Sequence, residues 1–133
     1  MSYAAACADG ANAAGCTIGT TGFDYTLTGD IAPASGVVGI KFTSGATTNT
    51  TTLTGGISTT GDYAYGLFLN NSTNNITTLT GDISTTGDDA YGLYLESSNN
   101  NTTTLTGDIS TGNVDGTTGD DAYGLYLESS NNN

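Results

Sequence analysis

Positive charge is almost missing from this chain: Lys41 stands alone, with no arginine and no histidine, against thirteen acidic residues. The resulting formal net charge of −12 argues against nucleic acid or an anionic membrane surface as partner, because both attract proteins through clustered Lys and Arg. Without histidine there is no general base near neutral pH and a poor inventory of transition-metal ligands. Long apolar runs are missing too, and no signal peptide or lipidation motif is recognisable, so an export signal would have to have been removed. Apolar residues nowhere recur at helical spacing over three turns, which leaves strands as the secondary structure to expect.

What is present is a repeat. Leu-Thr-Gly-(Asp/Gly)-Ile begins at Leu27, Leu53, Leu79 and Leu105, with 26 residues between successive copies. A second signature follows in each unit, Ala64-Tyr65-Gly66-Leu67-Phe68-Leu69 and its counterparts starting at Val37, Ala90 and Ala122. The last unit carries a six-residue insertion, with Ser110 to Gly119 standing where Ser84 to Gly87 stood. An insertion that leaves both signatures intact belongs in a loop.

Each signature alternates apolar and polar residues and is bounded by Gly, Asp, Asn and Ser clusters, reading as strand, turn, strand, turn. One unit holds too few apolar side chains to bury a core alone. The units must therefore stack, each strand pairing with its equivalent about 4.8 Å away. The fold expected is all-β: a parallel β-solenoid of about four coils spanning residues 23–133, behind an N-terminal cap of residues 1–22. Alternation puts Leu79 and Ile83 inside and Thr78, Thr80, Asp82 and Ser84 outside. Lys41 aligns with Phe68, Tyr94 and Tyr126, and a lone lysine is costly to bury, so that rank faces solvent. Parity then predicts inward ranks of Val38, Tyr65, Tyr91 and Tyr123, of Ile40, Leu67, Leu93 and Leu125, and of Phe42, Leu69, Leu95 and Leu127. Asn49, Asn75 and Asn101 are placed to form an amide ladder.

Cys7 and Cys16 are the only cysteines, closely spaced and without a histidine to complete a metal site. A disulfide between them is expected, pinning the cap over the first coil and implying oxidising, extracellular or cell-surface surroundings. One lysine and no arginine also leave little for trypsin-like proteases to cut.

The stretch Gly81-Asp82-Ile83-Ser84-Thr85-Thr86-Gly87-Asp88-Asp89-Ala90-Tyr91-Gly92-Leu93-Tyr94-Leu95 resembles the repeats of β-helical passenger domains in bacterial autotransporter-type surface proteins. The resemblance covers roughly residues 24–133 and is one of repeat style. It implies a secreted, right-handed β-helix displayed at the cell surface, often as an adhesin. It supplies no ligand, and the membrane-embedded barrel typical of that family is absent from this sequence.

Four features invite a function. Asp88, Asp89, Asp120 and Asp121 recur at turns, with Asp62 beside them and Asp30, Asp82 and Asp108 in a second row. Stacked carboxylates repel, and calcium would relieve that, although solvated turn aspartates need no metal and the nonapeptide of calcium β-rolls is missing. The paired Thr ranks around Leu27, Leu53, Leu79 and Leu105 resemble the Thr-x-Thr arrays of ice-binding solenoids, but threonine also simply suits an exposed strand. The Phe68, Tyr94, Tyr126 stripe offers contact area for a glycan or another cell-surface ligand, or else stabilises its own sheet. The insertion around Asn113, Val114 and Asp115 is the one break in the pattern. Sequons such as Asn75-Ile76-Thr77 and Asn101-Thr102-Thr103 matter only in a glycosylating host. No cofactor and no catalytic site are expected, since an enzyme would break the repeat at its centre.

The final coil ends on an ordinary repeat and would expose its apolar section. Either the chain is a piece of a longer array, or copies stack head to tail into an extracellular filament.

Overall fold

A computed structural model describes residues 5–112 and 122–133. Among these residues thirteen strands, all paired in parallel, wind as a solenoid, each coil lying one repeat below the last. The N-terminal segment contributes β1 (Ala5–Ala6) and β2 (Cys16–Ile18); the first coil adds β3 (Asp24–Thr28) and β4 (Ile40–Phe42). Three full coils follow: β5 (Thr50–Thr54), β6 (Ile57–Thr60) and β7 (Leu67–Asn70); β8 (Ile76–Thr80), β9 (Ile83–Thr86) and β10 (Leu93–Glu96); β11 (Thr102–Thr106), β12 (Ile109–Gly112) and β13 (Leu125–Glu128). They form three sheets, ordered β1-β2-β4-β7-β10-β13, β3-β5-β8-β11 and β6-β9-β12. The solenoid and its Cys7–Cys16 disulfide are therefore as the repeat predicts. Register begins early: β2 already pairs with β4, and Thr21 bridges to Thr47, both within the residues assigned to the cap.

The section is three-sided, where the sequence reads as two strands per coil. The difference lies inside the Leu-Thr-Gly-Asp-Ile signature. Gly81 adopts φ 141°, a conformation side chains avoid, and a Cβ there would run into the Gly55 carbonyl of the coil above. Glycine thus lets the chain turn a corner between Thr80 and Ile83 while stacked coils stay in contact. Leu79 and Ile83 still both point inward, but from different faces.

Core ranks run vertically. Leu27, Leu53 and Leu79, then Ile31, Ile57 and Ile83, then Ile40 and Leu67, then Phe42, Leu69 and Leu95 are all buried. The expected inward ranks are amended in two ways, by an addition and by a correction. Polar ranks share the interior: Thr51, Thr77, Thr59, Thr85, Ser72 and Ser98 are each 0–1% exposed. Near a corner the section is too narrow for a branched aliphatic on every inward position, and threonine fits if its hydroxyl is used. Thr59, Thr85 and Thr111 donate to the carbonyls of Ala64, Ala90 and Ala122 across the turn, whereas the hydroxyls of Thr51 and Thr77 have no partner among the described residues.

The correction concerns the tyrosines. Tyr65, Tyr91 and Tyr123 lie outside the core, with their rings against the outward rank. The glycine that follows them decides this. A Cβ on Gly66 would sit 2.5 Å from Ile83 Cγ2, so Gly66 occupies the inward position beneath the corner and turns its predecessor toward solvent.

Candidate interaction surfaces

The sheet ending in β13 carries a double rank of rings. Phe68, Tyr94 and Tyr126 align in register below Lys41, whose Nζ lies 5.5 Å from the Phe68 centroid, a cation–π contact. Tyr65 and Tyr91 stack at 5.3 Å with planes 8° apart, and Phe68 and Tyr94 at 4.8 Å and 10°. Between the ranks the rings meet edge to face, Tyr65 against Phe68 at 62° and Tyr91 against Tyr94 at 79°. Ring faces are therefore spent on one another along the stack. Phe68 and Tyr94 are only 7% and 8% exposed, so the stripe presents mainly ring edges, and its open surface lies toward Tyr123, which is 44% exposed. The Tyr94 hydroxyl donates to Glu128 at 2.6 Å. Burial first, and that hydrogen bond second, push its pKa well above the usual 10.0. Burial also raises Tyr65, helped by the Asp89 charge.

The sheet β3-β5-β8-β11 presents a polar face. Its outward positions are threonine at ten of twelve places, with Asp24 and Ile76 the exceptions. In-register pairing sets Thr26, Thr52, Thr78 and Thr104 in one rank and Thr28, Thr54, Thr80 and Thr106 in the next. Beside it runs the corner row of Asp30, Gly56, Asp82 and Asp108. Gly56 replaces the aspartate of its neighbours and leaves an open groove between Asp30 and Asp82, floored by Gly55 and Gly81.

The corner carboxylates have partners already. Asp30 Oδ1 accepts from the Gly56 N–H at 2.9 Å, Asp82 Oδ1 from Asp108 N–H at 2.9 Å, and Asp62 Oδ1 from Asp88 N–H at 3.0 Å. Each of these bonds ties a turn aspartate to the backbone of the next coil. Among the described residues no group of three or more acidic, histidine or cysteine side chains is placed to hold a metal. Asp88 and Asp89 lie at one such turn; Asp120 and Asp121 lie outside the described residues, as do Asn113, Val114 and Asp115. Strand register is intact on both sides of that insertion, Gly112 pairing with Thr86 and Leu125 with Leu93.

The asparagine ladder is real and longer than its spacing suggests. Asn49 Nδ2 donates to Asn75 Oδ1 at 3.0 Å, Asn75 Nδ2 to Asn101 Oδ1 at 3.1 Å, and Asn101 Nδ2 to Asn133 Oδ1 at 3.3 Å. Asn133 is hidden from a 26-residue search because the insertion shifts its rung to a separation of 32. At the top, Asn49 Oδ1 accepts from the Phe23 N–H. Asn75 and Asn101 are 0% and 2% exposed, which puts both sequons beyond a glycosylating enzyme in the folded chain. Asn100 carries an exposed sequon of its own with Thr102.

A matching protein-family model, curated protein or solved structure is found in none of three comparisons. What the chain does has to be argued from these surfaces.

Proposed function

We propose that this chain is an extracellular structural or adhesive module, a rigid acidic rod in the manner of the surface-protein passenger repeats it resembles. One observation carries the reading. Equivalent strands pair in register from coil to coil on all three faces, around buried ranks of Leu, Ile and Phe. Such a body offers contacts that add along its length, where an enzyme needs one unique cleft. The Cys7–Cys16 disulfide fits an oxidising compartment, and net charge keeps the rod solvated and away from anionic surfaces.

Two faces are the places for a ligand. The tyrosine edge around Tyr123 and Tyr126 suits a glycan or an apolar protein surface, and the threonine sheet suits an extended hydroxyl-rich polymer. An ice plane is a poorer match for the threonine face, because the Asp30, Asp82 and Asp108 row along its margin binds liquid water strongly. A glycan and matrix-protein array probed with wild type, with Tyr123→Ser/Tyr126→Ser, and with Thr78→Lys/Thr104→Lys tests the reading. Capture by wild type that one of the two variants loses assigns the face. Failure of wild type to capture anything removes the adhesive half of the proposal and leaves a spacer.

A further inference from the structure

Two tyrosines stand one above the other outside the core. Tyr65 and Tyr91 hold the same place in successive coils, 26 residues apart, and their rings stack at 5.3 Å with planes 8° apart. Backbone pairing fixes that register: the Gly66 N–H donates to Tyr91 O at 3.0 Å, and Leu67 and Leu69 pair with Leu93 and Leu95 in the strand that follows. Each ring also meets a second one edge to face, Tyr65 with Phe68 at 5.0 Å and Tyr91 with Tyr94 at 5.3 Å. Both tyrosines are half-buried, so part of each stays within reach of a small oxidant.

Little else in the chain gives up electrons easily. Reduced sulfur, a common target of oxidation, is limited to Met1, since both cysteines are already joined, and tryptophan is absent. That leaves the tyrosines. Tyr91 also stacks on Tyr123, but farther off, at 5.6 Å and 25°. Tyr94 is 8% exposed and its phenolic proton is engaged by Glu128.

We propose that Tyr65 and Tyr91 are a cross-linking pair, which hydrogen peroxide acting through a haem peroxidase joins as dityrosine between adjacent coils. Each phenol loses one electron and one proton. The Asp89 carboxylate, whose charge acts on the Tyr65 phenol, is the near acceptor for one of these protons and passes it to solvent. Peroxide takes up both electrons and both protons and becomes two molecules of water. The phenoxyl radicals carry spin on the ring carbons beside the oxygen-bearing carbon, and one such Cε from each ring forms the new C–C bond. The hydrogen on each joined carbon then moves to its phenolic oxygen as the rings regain aromaticity, so the chain ends two hydrogen atoms lighter. Stacking supplies the encounter in advance, which favours coupling within one chain over collision between chains. The bond closes a loop from residue 65 to residue 91 and so restricts the unfolded chain. Oxidising surroundings, which the Cys7–Cys16 disulfide fits, are where it forms.

The test is oxidation of the dilute, purified full chain with a haem peroxidase and hydrogen peroxide, then cleavage at Asp and Glu and mass spectrometry. Asp82, Asp88 and Asp89 separate the two tyrosines, so the bond reads as a linked pair of peptides two hydrogens lighter than their sum. Dityrosine fluorescence on a band of monomer size in a denaturing gel accompanies it, and the urea midpoint of the treated chain rises. Tyr65→Phe and Tyr91→Phe each remove the linked pair while keeping a ring in place, and Tyr25→Phe leaves it. A second measurement needs no variant: wild type oxidised in urea, matched for total tyrosine loss, yields the pair severalfold less. Absence of the pair from the folded chain overturns the proposal, as does coupling confined to other tyrosines or to contacts between chains, or an equal yield from the unfolded chain. None of these outcomes depends on whether the faces bind a ligand.

Discussion

Asn75 donates twice to one oxygen of Asn101: its backbone N–H and its Nδ2 both reach Asn101 Oδ1, at 3.0 and 3.1 Å. The same oxygen thereby closes the corner of one coil and fixes its height above the next. With Asn49 above and Asn133 below, four carboxamides form a continuous chain, buried from Asn49 to Asn101, in which neither end of any amide is left unpaired.

Replacing Asn75 with alanine strands the Asn49 N–H and one of the two Nδ2 hydrogens, which donate to Asn75 Oδ1 while the other Nδ2 hydrogen keeps the Thr20 carbonyl, at a side chain only 1% exposed. The expected cost is about 2–4 kcal/mol, read as a lowered urea midpoint with the slope unchanged. Asn100→Ala, one residue before the next rung and exposed, shifts the midpoint by much less. Equal shifts would deny the ladder any special role.

Alkaline stability should report on Tyr94. Its folded pKa is raised above the ordinary 10.0, so the folded chain holds its proton more tightly than the unfolded chain does. The associated stabilisation is fully present below pH 10 and is lost as pH climbs toward the folded value. Tyr94→Phe lowers stability at neutral pH by about 1 kcal/mol, through loss of the hydrogen bond to Glu128, and flattens the decline above pH 10. The measurement is a series of chemical unfolding curves from pH 7 upward; an alkaline limb identical in both proteins would place the titration elsewhere.

Glycines at the corners differ in what they tolerate. Gly81→Ala combines a left-handed backbone with collision against the coil above and should cost about 3 kcal/mol or more. Gly45, at φ 93° with open space around it, should lose only about 1–2 kcal/mol as alanine. Thermal midpoints of the two variants give the ranking, and a reversed order would contradict the stacking geometry.

Chelation should leave the fold unmoved. Asp30, Asp62 and Asp82 each spend a carboxylate oxygen on a backbone N–H of the next coil, so neutralising cations are not required to hold the rows. The melting midpoint with and without a calcium chelator is expected to coincide; a fall on chelation would revive a calcium site at the Asp88 and Asp89 turn or at Asp120 and Asp121.

Much was legible before any coordinates, because a period of 26 residues acts on every rung at once. Leu27, Leu53 and Leu79 cannot satisfy parallel pairing out of step, so stacking, register, the aliphatic core and the asparagine ladder follow from spacing alone. Two cysteines with no competing chemistry likewise leave the disulfide as the natural outcome. What spacing cannot express is the shape of the section. Parity holds along a straight strand and fails where the chain bends. Gly81 therefore hid a third side, and Gly66 and Gly92 turned Tyr65 and Tyr91 out of the core and onto Phe68 and Tyr94. Residues 1–22 read as a cap, and the hydrogen bonds of Gly10 with Thr26 and Thr28 and of Ala13 with Ala32 are what tie it to the first coil. Sequence determined the ladders because identical neighbours repeat a local rule; tertiary structure decided the corners, where a residue's surroundings are set by chain it does not neighbour.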